Sequence, residues 1–327
     1  MDKALANKKI GWIEALRAVA LLMVVIPHFI AGFCPQAFVA WETYSWALRG
    51  INGKHGVAIF CVLIGFFSSR KIEKSLPTYA VQRYLQFFIN VFFVLVPCVF
   101  VFYKNGIIRN VLFAFTEAAF FRSDLIATFW CVRAMFEGSL ICFVLGNYCD
   151  IENKPLGFVF VSVVCLMTLV LEDVWVSVCV MGAALRSFQR IKILGKAKVV
   201  ICVVAVCIIP LLYRHPESTK TYLMQGCSTC LFVYVCSCIS ELRWIKNLKG
   251  LVVLPFLGNI SFYMFLWHTP INMALRNIQY EGLNMYLLFA VSFVVSMLLA
   301  IIQYWINNRW INPLIKNIQI KIKRTPE

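Results

Sequence analysis

Gly11-Trp12-Ile13-Glu14-Ala15-Leu16-Arg17-Ala18-Val19-Ala20-Leu21-Leu22-Met23-Val24-Val25-Ile26-Pro27-His28-Phe29-Ile30-Ala31-Gly32-Phe33 is an apolar run with an arginine and a histidine inside it. A helix needs about 20 apolar residues to cross a bilayer, so this run is long enough to span. No small-residue cleavage site follows it, and it reads as a retained helix rather than a signal peptide. An arginine and a histidine inside such a helix are costly unless they face protein or water, which makes each a functional candidate.

The rest of the chain has the same character. Of its 327 residues, 61% are apolar and 14% charged, against about half and a quarter in an average soluble protein. A mean hydropathy of +0.79 excludes a soluble globular domain, a disordered chain and a nucleic-acid-binding domain. The expected fold class is all-α, a polytopic membrane protein, with spans near 11–33, 56–69, 80–103, 125–148, 156–171, 173–188, 199–213, 222–241, 253–275 and 284–306. The fifth and sixth share one apolar stretch broken at Glu172-Asp173, so 156–188 forms either two spans or a re-entrant pair.

The net charge of +16 then has a topological meaning. With the N-terminus in the cytoplasm, twenty-one of the 31 Lys and Arg residues fall on the cytoplasmic side and eight on the other, with Arg17 and Arg133 inside spans. That bias fits an even number of spans with both termini cytoplasmic. The expected organisation is a cytoplasmic segment over 1–10, a transmembrane domain over 11–306 and a basic cytoplasmic tail over 307–327. The fourteen cysteines form no disulfide framework; most lie in apolar runs, where thiols act as small hydrophobes.

Arg17 and His28 are eleven positions apart, about three turns plus 20° of helix. Both therefore lie on one stripe, about 16.5 Å apart along the axis. They cannot touch each other, but one elongated ligand could touch both. Pro27 frees a backbone carbonyl one turn earlier, beside the histidine. The bland alternative is an arginine that snorkels to the headgroups and a histidine that caps the outer end.

A second set is Trp130, Arg133 and Glu137 on the fourth span, where the Arg–Glu spacing allows mutual neutralisation. Such a pair serves either helix packing or chemistry. The ninth span brings Asn259, Ser261, Tyr263 and His268; read alone, His268 belongs to an interfacial aromatic belt. Cys227-Ser228-Thr229-Cys230 has the gap of a metal or redox motif, but it lies in an apolar helix without a second pair, so no metal is expected. His215 falls in a short polar loop. No Walker loop, Gly-x-Gly-x-x-Gly after a strand or nucleophile elbow is present, which argues against ATP hydrolysis and serine-hydrolase chemistry.

Four segments, in order, resemble the integral-membrane acyltransferase 3 family. Ile13-Glu14-Ala15-Leu16-Arg17-Ala18-Val19-Ala20 followed by His28 is similar to its opening signature, Arg or Lys, ten residues, then His. Gly56-Val57-Ala58-Ile59-Phe60-Cys61-Val62-Leu63-Ile64-Gly65-Phe66-Phe67 resembles its second segment, with Ile64 in place of the usual Ser. Phe129-Trp130-Cys131-Val132-Arg133-Ala134-Met135-Phe136 is similar to its Trp-Phe-Leu segment. Ile260-Ser261 through Tyr263, His268 and Pro270 resembles its closing motif. The basic run after the second span is thin, with Arg83 standing where paired arginines are usual.

The resemblance implies transfer of an acyl group, commonly acetyl, from cytoplasmic acyl-CoA to a hydroxyl of a cell-envelope glycan or lipid-linked sugar. His28 and Arg17 would be the catalytic residues. Arg17, Arg70, Lys71 and Arg83 would hold the CoA phosphates, a task for charge-assisted donors. His28 would act as general base on the acceptor hydroxyl or carry the acyl group itself. Trp130, Arg133, Glu137 and His268 would support the site or bind the acceptor. Acyl-CoA is expected as co-substrate with no tightly bound cofactor, the other partners being the acceptor and membrane lipids, with no nucleic acid. A bacterial plasma membrane is the expected location. The rivals are a transporter or flippase using Arg17, Arg133 and Glu137, and a scaffold relative without activity. Against the transporter, no matched broken helices recur in two related halves.

Overall fold

The structure is a computed structural model that describes residues 11–33, 53–102, 106–121, 129–149, 174–190, 219–239, 253–277 and 284–324, together with 163, 164 and 167. Among these residues every regular element is helical. In chain order they are α1 (Gly11–Phe33), α2 (Gly53–Ser68), α3 (Leu76–Phe102), α4 (Ile107–Ala119), α5 (Trp130–Asn147), α6 (Val174–Arg190), α7 (Thr219–Ile239), α8 (Val253–Asn277) and α9 (Met285–Ile306). A π-helical turn, Asn307–Ile311, then joins α9 to α10 (Asn312–Arg324).

Among the described residues three stretches, Trp12–Phe33, Leu76–Phe102 and Met285–Ile318, are long and apolar enough to cross a membrane, and Gly53–Ser68, Val174–Arg186 and Gly226–Cys236 are shorter apolar helices. The protein is thus a membrane protein whose described residues are helical. The expected spans near 11–33, 56–69, 80–103, 125–148, 173–188, 222–241, 253–275 and 284–306 each coincide with a helix to within a few residues. Those near 199–213 and, apart from three residues, 156–171 lie outside the described residues.

The chain divides into two compact units. The first comprises Met1–Ile26, Val39–Glu73 and Glu137–Asn259, and holds the start of α1, α2, most of α5, α6, α7 and the start of α8. Here α2, α6 and α7 pack on one another. The α2–α6 crossing works because both helices present glycine. A Cβ on Gly65 would run into the Cys179 carbonyl, and one on Gly182 into the Val62 carbonyl. In lipid, helix association depends on such close approach, because apolar side chains gain nothing by leaving an apolar solvent. The turn after α2 is tied to α5: the Ile72 amide donates to Asn147 Oδ1 at 2.7 Å, and Arg186 of α6 donates to the Phe66 carbonyl at 3.2 Å.

The second unit comprises Pro27–Phe38, Lys74–Phe136 and Ile260–Glu327. Its α4 was not foreseen from the sequence. Asn110, Ala114 and Ala118, spaced by four, are its buried side, and α4 packs against α3. The large side chains Ile107, Ile108, Leu112 and Phe115 point outward and are exposed. Small residues inside and bulky apolar ones outside is the arrangement expected where the surroundings are lipid. Tyr84 of α3 donates to the Ala119 carbonyl at 3.1 Å.

Behind this lies a buried polar network. Trp267 Nε1 donates to Gln303 Oε1 at 2.7 Å. Gln303 Nε2 donates to Asn90 Oδ1 at 3.0 Å, and Asn307 Nδ2 donates to the same oxygen at 2.8 Å. All four side chains are buried, and their mutual bonds offset the cost of removing amides from water. The network links α3, α8 and α9 at the start of the π-helical turn.

Candidate active site

α1 carries both residues that the sequence singled out first. Arg17 lies in the first unit. Its Nη1 contacts both carboxylate oxygens of Glu14 at 3.1 and 3.3 Å, one helical turn away. Glu14 is buried and the arginine is 37% exposed, so the cation both neutralises a buried acid and keeps an accessible edge. α8 crosses α1 closely at this level, since a Cβ on Gly258 would collide with the Glu14 carbonyl. The sequence reading had not given Glu14 this role, although an acid three positions before an arginine was a visible signal.

His28 and His268 both lie in the second unit. His28 Nδ1 is 3.0 Å from His268 Nε2, and the two rings are inclined by only 24°. His268 is fully buried. Its own Nδ1 is 2.6 Å from the Phe265 carbonyl, and its Nε2 also receives the Thr269 hydroxyl at 3.1 Å. His268 is therefore a buried partner of His28, where the sequence alone placed it in an aromatic belt.

The order of these bonds assigns the hydrogens. A carbonyl oxygen only accepts, so Nδ1 of His268 must be its N–H. With that imidazole neutral, Nε2 holds the lone pair and accepts from its neighbours. The hydrogen in the His28–His268 bond then belongs to Nδ1 of His28. The second nitrogen of a neutral His28, Nε2, is left with a lone pair on a ring that is exposed. A chain running from a backbone carbonyl through one imidazole to a second is an orienting device of the kind that prepares a general base.

The remaining candidates lie on other elements. Arg70 and Lys71 are exposed on the turn after α2, held by the Asn147 bonds. Arg83, on the first turns of α3, donates Nε to the Tyr79 hydroxyl at 3.0 Å and lies over the Tyr79 ring. Trp130 begins α5 and is exposed; Arg133, one turn on, is exposed, and Glu137 is half-buried. Cys227 is exposed and Cys230 half-buried. The structure thus joins His28 to His268.

A family model described as an acyltransferase domain matches residues 10–305, nearly the whole chain. The chain belongs to the acyltransferase 3 family. No curated protein and no solved structure matches it. For this acyltransferase, family membership and the apolar helices agree on a membrane-embedded enzyme that transfers acyl groups. The segments that carried the resemblance, from Ile13 to Pro270, all fall inside the matched region. Residues that the sequence reading passed over are Glu14, Thr269, Asn90, Gln303 and Asn307. Of these, Asn90 and Gln303 stood inside apolar spans and were open to the rule applied to the ionisable residues.

Proposed function

We propose that this acyltransferase moves an acyl group, commonly acetyl, from acyl-CoA to a hydroxyl of a cell-envelope glycan or lipid-linked sugar. His28 is the base. Its Nε2 takes the hydroxyl proton as the oxygen attacks the thioester carbonyl. The C–S bond then breaks, and the CoA sulfur leaves with the proton returned from the imidazolium. His268 orients the ring and shares the charge that develops on it. The observation that carries this reading is the hydrogen-bond chain from the Phe265 carbonyl through His268 to His28 Nδ1, which leaves the basic nitrogen of His28 on its exposed ring. An acyl-histidine route uses the same nitrogen as nucleophile.

On this reading Arg17, Arg70, Lys71 and Arg83 supply cations for the CoA phosphates, and Trp130, Arg133 and Glu137 serve the acceptor. The topology that goes with it is ten spans with both termini in the cytoplasm of a bacterial plasma membrane. The test is incubation of the purified protein in lipid with radiolabelled acetyl-CoA and total envelope glycans, beside a His28→Ala control. Label on a glycan with the unaltered protein alone supports the reading. Full transfer by His28→Ala overturns His28 as the base. Absence of transfer from acetyl-CoA and longer acyl-CoA donors shifts the weight to the transporter.

A further inference from the structure

Arg276 lies on α8, eight positions beyond His268, and its guanidinium reaches the end of α1. Nε donates to the Gly32 carbonyl at 2.6 Å and Nη2 approaches the Ala31 carbonyl at 3.4 Å. The absent side chain of Gly32 makes the room: a Cβ there would sit 3.4 Å from Nε and 3.6 Å from Cζ of Arg276. Gly32 is four positions after His28, on the same side of α1, where side-chain origins are roughly 5–6 Å apart. The arginine is exposed, and among the described residues no carboxylate pairs with it. A guanidinium has five N–H donors, and the two carbonyls engage one edge of it. The outcome is a cation fixed in position, one helical turn from the proposed base, with donors to spare.

We propose that Arg276 binds an oxyanion carried by the acyl acceptor, a phosphate or a carboxylate, so that a hydroxyl a few bonds away meets Nε2 of His28. The inference rests on the acyl-transfer reading and adds the acceptor's charge to it. A planar fork suits such groups because it offers two parallel donors to two oxygens. An arginine that only closed off the carbonyls of α1 would be indifferent to the acceptor's charge, and that difference can be measured.

The full-length protein in lipid nanodiscs is given labelled acetyl-CoA and one of three acceptors: N-acetylglucosamine 1-phosphate, glucuronic acid or the neutral methyl glycoside of N-acetylglucosamine. Arg276→Gln is expected to raise KM for the two anionic sugars about tenfold. It should leave KM for the neutral sugar, KM for acetyl-CoA and kcat unchanged. Arg276→Lys, which keeps the charge and loses the fork, should recover part of the difference. Equal losses on charged and neutral sugars, or a fall in kcat alone, overturn the proposal. Equilibrium dialysis of radiolabelled N-acetylglucosamine 1-phosphate without acyl donor separates this failure from that of the transferase reading. Binding that weakens in Arg276→Gln keeps the subsite even where no label is transferred, and no binding to the unaltered protein removes it. Should Arg276→Gln not fold, the same comparison is made with Arg276→Lys, for which a preference for the anionic sugars unchanged from the unaltered protein counts against the subsite.

Discussion

The imidazoles of His28 and His268 are joined at 3.0 Å across 240 positions of sequence, with the Phe265 carbonyl holding the far end of the pair at 2.6 Å. Each bond in that chain has one permitted direction once the carbonyl is fixed as acceptor. The pair therefore acts as a unit, and its two members respond differently to substitution.

Replacement of His28 removes the proton acceptor. His28→Ala is expected to lower kcat for acyl transfer by about 10²–10⁴-fold, the usual contribution of a positioned general base, with KM for acyl-CoA little changed. Steady-state kinetics on protein of unaltered melting temperature check this.

Replacement of His268 removes the orienting partner and leaves the base. A glutamine amide places an oxygen near the position of Nε2, so His268→Gln still accepts from His28 Nδ1, whereas His268→Leu does not. We expect kcat to fall more in the leucine variant than in the glutamine variant, by about tenfold between them. Equal activities would show that His268 serves packing alone.

Glu14 and Arg17 form an ion pair whose acid is buried. Arg17→Gln leaves a buried carboxylate without its cation and should lower the melting temperature. Adding Glu14→Gln should restore part of the loss. Because Arg17 is partly exposed, the coupling in a double-mutant cycle should be modest, about 1 kcal/mol. Activity is not expected to return with stability if Arg17 also serves the acyl donor.

Gln303 bridges Trp267 and Asn90. Gln303→Leu leaves the indole N–H without its acceptor and takes one donor from the backbone carbonyl and the Oδ1 of Asn90 inside an apolar region. Each lost bond in a membrane protein is worth about 0.6 kcal/mol and at most about 1.7, so a fall in stability of about 1–2 kcal/mol is expected. A thermal-unfolding series in nanodiscs measures it. Trp267 adjoins His268 in the chain, so kcat should fall in the same variant.

Gly65 meets the backbone of Cys179, so the methyl group of Gly65→Ala has nowhere to go. The α2–α6 crossing must open to admit it, at a cost of about 1–3 kcal/mol, the usual range for overpacking. Reduced yield of folded protein and a lower melting temperature would report it, and an unchanged melting temperature would contradict the close crossing.

The helices were largely legible in advance because their signal is local. The run 11–33 became α1 with the same limits, and the runs near 253–275 and 284–306 became α8 and α9. α4 was missed for a physical reason: its thirteen residues are too few to span, and its apolar side chains face outward over a small buried face. The helix that follows the last span was also not foreseen. The chain continues as helix through the π turn to Arg324, because Asn307 bonds to Asn90 and to the Gln303 carbonyl instead of ending the helix.

What the sequence alone determined is the class of molecule, the candidate polar residues and the family. Composition and run length state the solvent, and a charged or titratable side chain in an apolar run stands out without any knowledge of its neighbours. What only the tertiary structure decided is which of those residues meet. His268 became the partner of His28, Glu14 that of Arg17, and Arg276 was laid against Gly32. Side-chain hydrogen bonds form at about 3 Å, a tolerance far finer than helix periodicity provides. Their partners are set by how closely helices approach, which depends on small residues such as Gly65, Gly182 and Gly258 and on the backbone that each one meets.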